Sequence, residues 1–396
     1  MAGFDPDLES IVQELNKKVK PLDSDPANLP GPQPVKSSED TTGPSDSLDD
    51  LLRIASRRDA SDLILVAGSG LILRIHGSLV QSSGALFSED DIKSLILPLL
   101  TRRRRQELER ARTVDFSFVR EGIGRFRTNV HFQRGTMATA IRLLPDQIPT
   151  LNELHLPPAL AELTNRKQGL VLVTGPTGSG KSTTLATLIG MINRNHPHHI
   201  ITIEDPIEYY HTNENSVFEQ MEVGHDAESF ASALRSILRQ SPDVILVGEM
   251  RDAETMAAAV TAAETGHLVF STLHTNDTIQ AVGRIVDSFP GPKQNQIRQQ
   301  LSLGLLAIIA QQLVPAADGR GRYPATEILL ANTAVSHIIR KAEDHMLRSQ
   351  LSLGRSEGMM MMEESLAGLV RDGKITYETA SKHCFRPEEF QRYMQQ

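Results

Sequence analysis

Apolar residues fall into four regimes along the chain, and each regime predicts a different architecture. Over 1–47 they are sparse. Leu8, Ile11, Val12, Leu15 and Val19 have helical spacing, after which Pro21, Pro26, Pro30, Pro32, Pro34 and Pro44 stand among Ser, Asp and Gly, the composition of a flexible tail. From residue 48 the spacing becomes regular. Leu51, Leu52, Ile54 and Ala55 share a helical face; 62–66 and 71–75 are strand-like runs, followed by a His76-Gly77 turn. Residues 88–108 return to helical spacing, and 114–118, 124–132 and 136–143 alternate as strands, so 48–145 predicts a small α+β domain. Pro145, Pro149, Pro157 and Pro158 then punctuate the chain and mark a linker at 146–158. Beyond it, the apolar runs Gly169–Thr174, 200–204, 243–248 and Leu268–Leu273 alternate with helical segments. Such runs suit parallel strands buried on both faces, so 159–315 predicts an α/β domain. From 316 to 396 the spacing is mainly helical.

Composition narrows the setting. The longest apolar stretch, 301–314, is interrupted by Ser302, Gly304, Gln311 and Gln312 and is too short to cross a bilayer. The start Met-Ala-Gly-Phe-Asp lacks the basic and apolar segments of a secretory signal, so a cytoplasmic location is expected. A single cysteine, Cys384, allows neither an internal disulfide nor a tetracysteine zinc site. With 41 basic and 49 acidic residues the net charge is −8, which argues against a sequence-independent nucleic-acid binder. The run Arg102 to Arg105 follows Leu99 and Leu100 and fits the solvated face of a helix.

Candidate chemistry begins at Gly175-Pro-Thr177-Gly178-Ser179-Gly180-Lys181-Ser182-Thr183, which matches G-x-x-x-x-G-K-[ST] between an apolar strand and a helical segment. Glycines let successive backbone N–H groups face phosphates, and the positive end of the following helix favours anions. ATP is the expected ligand: Lys181 supplies a charge to the β and γ oxygens, Ser182 a hydroxyl to Mg²⁺, and Thr183 lies nearer the α-phosphate. The apolar run ending at Gly248-Glu249 offers Glu249 as general base, with glycine at the position where many such enzymes place a magnesium-ligating aspartate. Glu204, Asp205 and Glu208 end another apolar run and offer carboxylates to magnesium-bound water or the nucleophile. Isolated acidic strand ends are more often caps or solvated loops; several in one parallel sheet shift the balance toward function. His267 and His274 stand at opposite ends of one strand. His274 and Thr272 lie at its C-terminal end, where open α/β sheets meet ligands, while a packing role competes most strongly for His267. His196 and His198 flank Pro197, which breaks a helical metal spacing and leaves them, with His199, a loop. Arg125, Arg127, Arg134 and Arg142 lie on or beside strands of the first domain, and an arginine from a second domain commonly neutralises charge on a transferred phosphate.

Four blocks occur in a specific order: the phosphate loop, Ile203-Glu-Asp-Pro-Ile-Glu208, Leu246-Val-Gly-Glu-Met-Arg-Asp252, and Thr265-Gly-His-Leu-Val-Phe-Ser-Thr-Leu-His-Thr275. From about Leu48 to near Lys382 the chain resembles the secretion ATPase superfamily and, within it, the type IV pilus retraction ATPases. The resemblance implies a PAS-like N-terminal domain, a RecA-like P-loop ATPase domain with a helical C-terminal part, a homo-hexameric ring, and ATP between the two domains. It makes Lys181 and Ser182 the phosphate and magnesium ligands, Glu204 the Asp-box glutamate and Glu249 the catalytic glutamate, with Ser182, Glu204 and Glu249 sharing the metal and its water. His267 and His274 match the His box, and Arg127 and Arg142 fall where the family has arginines that reach the phosphates. The implied activity is ATP hydrolysis that drives pilus disassembly through an inner-membrane platform protein, with paralogous pilus ATPases as further partners and a peripheral place at the inner membrane. The absence of a tetracysteine module, and of a large domain before residue 48, favours retraction over pilus assembly or type II secretion. Near the C-terminus, Ala334-Val-Ser-His-Ile-Ile-Arg-Lys341 stands where the retraction family has Ala-Ile-Arg-Asn-Leu-Ile-Arg-Glu. That departure admits an accessory paralogue or a regulatory ring subunit. A nucleic-acid translocase on a similar core is disfavoured by the net charge. Gly358-Met-Met-Met-Met362 resembles the start of a family helix, where core packing is the default reading.

Overall fold

The computed structural model describes residues 47–75, 77–82, 84–145 and 147–395. The helical spacing of 8–19, the rest of 1–46, and His76 of the expected turn lie outside the described residues.

An antiparallel sheet comes first, in the order β3-β2-β1-β6-β5-β4. Its strands are β1 (Ala60–Val66), β2 (Ile72–Ile75), β3 (Ser78–Gln81), β4 (Thr113–Arg120), β5 (Gly124–Gln133) and β6 (Thr136–Leu144). One face carries Leu63, Leu65, Phe126, Val130 and Ile141 and packs under Leu51, Leu52, Ile92, Ile96 and Leu108 of the overlying helices. The other face is polar, as one-sided antiparallel sheets permit. The helical spacing over 88–108 resolves into two helices, Glu89–Ile96 and Arg102–Ala111. Pro98 separates them within a 3-10 turn, because proline removes the N–H that a continuing helix needs. Thr101 caps the second helix by accepting from the Arg104 N–H, and Arg102, Arg103 and Arg105 are exposed on it.

The second sheet has the order β13-β12-β7-β11-β10-β8-β9. Its strands are β7 (Gly169–Thr174), β8 (His199–Glu204), β9 (Val217–Glu222), β10 (Val244–Val247), β11 (Leu268–Leu273), β12 (Leu305–Pro315) and β13 (Arg322–Leu330). Neighbours are parallel from β12 to β9, and only β13 runs antiparallel. Alternation divides the central strands between two cores. Leu170, Leu172, Ile245 and Val247 face the helices Ala253–Glu264 and Gly291–Gly304. Val171, Val173, Val244 and Leu246 face the helix Lys181–Asn195. β7, β10 and β11 are buried at every position and mainly apolar, with Thr174, Ser271 and Thr272 as buried polar residues toward their C-terminal ends.

β3 and β9 are edge strands with exposed residues and no apolar alternation to announce them. β13 also lies where helical spacing was expected. Its polar centre is accounted for by Glu327, whose carboxylate accepts from the Thr278 N–H (3.0 Å) and hydroxyl (2.8 Å). Its Pro324 is tolerated because the strand is at the sheet edge. Beyond β13 the chain is helical, from Thr333–Lys341 to Pro387–Gln395. Met359, Met361 and Met362 are buried in the cores there. No helix among the described residues is long and apolar enough to cross a membrane.

Candidate functional site

Parallel register brings the C-terminal ends of the central strands to one edge: Thr174 lies beside Leu273, Val247 beside Ser271, and Val247 beside Ile203. The segments that follow β7, β8, β10 and β11 therefore gather in one crevice, the position where open α/β sheets bind ligands.

The loop after β7 is shaped by glycines. Gly175, Gly178 and Gly180 have φ of 146°, 78° and 89°, in the region that disfavours a side chain. A Cβ on Gly175 would lie 2.2 Å from the Gln311 carbonyl oxygen, and one on Gly180 would lie 2.7 Å from Gln311 Nε2. The helix Lys181–Asn195 starts immediately afterwards, so its free N–H groups and positive end point at the loop. Lys181 is buried, and its ammonium donates to the carbonyls of Gly175 (2.9 Å) and Pro176 (3.0 Å). Burial lowers its pKa, while the charges of Glu249 and Glu208 oppose that shift, which places both carboxylates in its electrostatic reach. Thr177 and Gly178 form the exposed tip of the loop, Ser182 and Thr183 are partly exposed on the first helical turn, and the buried Ser179 hydroxyl has no hydrogen-bond partner among the described residues. This positive cradle, open to a molecule with several anionic oxygens, fits a nucleotide triphosphate.

Carboxylates come from the next two strand ends. Glu204 Oε1 accepts from Thr202 Oγ1 (2.7 Å) and Gln220 Nε2 (3.1 Å). Burial pushes the Glu204 carboxyl up to about 7, against the lowering effect of the bonds from Thr202, Gln220 and the Glu208 backbone. Glu249 is held from both sides, Oε1 by Arg251 Nη2 (2.5 Å) and Oε2 by His274 Nε2 (3.3 Å). Gly248 has a packing reason: a Cβ there would sit 3.1 Å from the Ile203 carbonyl oxygen and 3.4 Å from Glu204 Cα. Its N–H donates to that same carbonyl at 2.8 Å. Thr272 braces the turn by donating to the Gly248 carbonyl at 2.7 Å. Hydroxyl and carboxylate oxygens of Ser182, Glu204 and Glu249 are the hard donors that suit Mg²⁺.

His267 is placed elsewhere. It precedes β11, where Nδ1 lies 3.0 Å from the Ala262 carbonyl, and its own carbonyl accepts from the Gly169 N–H at the start of β7. It thus stands at the opposite end of β7 from the loop. Arg127 and Arg142 face each other across β5 and β6 on the polar face of the first sheet. They belong to one row of register across five strands, Arg74, Asp62, Arg142, Arg127 and Ser117. Arg142 Nε donates to Asp62 Oδ1 at 3.0 Å, and Arg74 pairs with the other carboxylate oxygen.

Arg125, one of the four arginines noted on the strands of the first domain, also stands at the site, together with Tyr209 and Gln311, to which the sequence gives no role. Arg125 is buried between the sheets, where Nη2 donates to the Glu208 carbonyl (2.5 Å) and the guanidinium lies 3.9 Å from the Tyr210 ring centre. Tyr209 meets Thr183 hydroxyl to hydroxyl at 3.1 Å, so the segment after β8 touches both the first sheet and the phosphate loop. Gln311 on β12 is buried beneath the loop. Arg251 stands two residues past Glu249, and that spacing is the one signal of its place beside the carboxylate in the sequence.

The chain is similar to several known proteins along most of its length. A family model described as type II/IV secretion system protein matches residues 141–383. The chain is 41% identical over 334 residues to the type IV pilus ATPase PilU of Pseudomonas aeruginosa, covering 84% of this chain and 87% of that protein. It is 40% identical over 341 residues to the type IV pilus retraction ATPase PilT of the same organism, covering 86% and 99%. The crystal structure of the pilus retraction motor PilT with bound ADP superposes with a TM-score of 0.82 at 46% identity, covering 87% of this chain and 99% of that one. The ATPase DotB of Legionella pneumophila follows at 0.76 and 27% identity, covering 89% and 98%.

Proposed function

Because the chain belongs to the type II/IV secretion system protein family, we propose that it is an ATP-hydrolysing motor that powers type IV pilus retraction. The observation that carries this reading is the convergence of Lys181, Glu204 and Glu249 at one sheet edge behind a glycine cradle.

The loop from Gly175 to Thr183 binds the triphosphate, with Lys181 meeting its anionic oxygens. Ser182, Glu204 and Glu249 would hold Mg²⁺, whose charge offsets that of the phosphates when bound. Glu249 takes the proton from the attacking water, and the bond between the γ-phosphorus and the bridging oxygen breaks to leave ADP and phosphate. Arg251 and His274 orient the Glu249 carboxylate for that transfer. Arg127 and Arg142 act when domain rotation brings the polar face of the first sheet over the phosphates; His267 serves at the far end of β11. The motor works as a ring of six copies, docked peripherally on an inner-membrane platform protein. Replacing Lys181 by Ala or Glu249 by Gln should lower steady-state ATP hydrolysis at least about a hundredfold, an effect expected of a lost catalytic group. Retention of turnover in either variant would sink the site assignment.

A second reading, an accessory retraction ATPase, is favoured by one observation. In the helix Thr333–Lys341 the buried positions Val335, Ile338 and Ile339 stay apolar, whereas His337 and Lys341, which depart from the retraction pattern, are exposed. Normal pilus retraction in a strain lacking this gene would select the accessory role over the primary motor.

A further inference from the structure

Gln311 lies in β12, one residue past Ala310, which pairs with Thr174 at the end of β7. Its side chain is buried at 4% exposure and is used at both ends. Nε2 donates to the Ser179 carbonyl at 2.7 Å, and Oε1 accepts from the hydroxyl of the buried Thr184 at 2.9 Å. The amide therefore ties the last peptide of the phosphate loop to β12 and is itself oriented from the first turn of the helix Lys181–Asn195.

Peptide planarity gives this bond a directional consequence. In a trans peptide the C=O and the following N–H point in opposite directions. Pulling the Ser179 carbonyl toward β12 turns the Gly180 N–H away from β12, toward the concave side of the loop. Gly180 has φ 89° and ψ 15°, the left-handed setting that builds anion-binding concavities from successive N–H groups. The left-handed φ favours glycine at 180, and a Cβ there would also meet Gln311 Nε2 at 2.7 Å, which shows how closely the amide is packed under this peptide. Gly175, at the other end of the loop, is crowded by the Gln311 carbonyl.

We infer that Gln311 is a positioning residue for phosphate binding, which aims the Gly180 N–H at the bound anion by anchoring the Ser179 carbonyl on β12. The inference rests on the reading of this loop as the ATP site. Without the anchor the Ser179–Gly180 peptide is free to rotate, and binding must order it, so affinity falls before the chemical step does.

Gln311→Leu removes both hydrogen bonds while nearly keeping the volume, and Gln311→Glu sets a carboxylate against the Ser179 carbonyl. ATP-hydrolysis KM and kcat, measured with the nucleotide-free melting temperature, test the idea. The expectation for Gln311→Leu is a KM raised about tenfold with kcat within about threefold of wild type, and a larger KM rise for Gln311→Glu. A folded Gln311→Leu protein with unchanged KM, whether or not its melting temperature falls, would overturn the inference and leave a packing role only. Should that variant fail to fold, Thr184→Val removes one of the two bonds, and KM should rise by a smaller factor; an unchanged KM there overturns it equally. Wild-type protein without ATP turnover or ATP-dependent thermal stabilisation would overturn both this inference and the ATP reading, whereas normal wild-type turnover with unchanged variant KM removes Gln311 alone.

Discussion

Glu204 ends β8 in a polar but enclosed setting, and its carboxyl is pushed up to about 7 from an ordinary value of 4.5, chiefly by burial. Between those values the folded chain binds a proton that the unfolded chain has lost, so this residue's contribution to stability declines as pH rises through that window. Glu204→Gln is neutral at every pH and lacks the decline. The difference in melting temperature, variant minus wild type, should therefore grow more positive from pH 5 to pH 8 in nucleotide-free protein. A difference that stays constant across that range would show that the carboxylate is solvated in the folded chain.

Where β10 passes into Glu249, the absence of a side chain at 248 lets two strand ends approach closely. An aspartate there would bring its Cβ within 3.1 Å of the Ile203 carbonyl and its charge beside Glu204. Overpacking of this kind costs about 1–3 kcal/mol and displaces neighbours by tenths of an ångström, enough to spoil catalytic alignment. Gly248→Asp should fold, lose a few degrees in melting temperature, and hydrolyse ATP at least about tenfold more slowly. Turnover equal to wild type would mean that the β8 and β10 ends yield freely. Elements of this sheet differ in how openly the sequence announces them. β7, β10 and β11 are legible because burial on both faces demands mainly apolar runs, interrupted inside the strands only by Ser271 and Thr272 of β11. β3, β9 and β13 are not, since edge strands need no apolar alternation, and the polar Thr326 and Glu327 of β13 are buried through partners almost fifty residues away in one case. The phosphate loop is contiguous and so visible as a motif, whereas Gln311 looks in sequence like an interruption of a greasy stretch. Its meaning comes from Ser179, 132 positions earlier.

At the scale of the molecule, the polar face of the antiparallel sheet reaches the ATPase sheet through Arg125. Its guanidinium donates to the Glu208 carbonyl and covers the Tyr210 ring, while Tyr209 between them meets Thr183 on the helix that follows the phosphate loop. Burying an arginine on a carbonyl and a ring is worthwhile only if the segment after β8 stays ordered, so the contact links sheet orientation to loop environment. Arg127 lies two residues further along β5, opposite Arg142, on the same face of the sheet as Arg125. Removing the guanidinium leaves the Glu208 carbonyl without this donor. A hydrogen bond to a charged group contributes about 1.5–3 kcal/mol, so Arg125→Ala should raise local opening of 205–211 by roughly ten- to a hundredfold. Amide hydrogen exchange is the direct measurement: faster exchange should be confined to 205–211 and to the facing strands β5 and β6, with β7 and β11 unchanged. ATP turnover should fall in parallel, because the Glu204 strand end and Tyr209 share that segment. If exchange in 205–211 matched the wild type while turnover fell, Arg125 would act at the nucleotide itself and not through the joint between the two sheets.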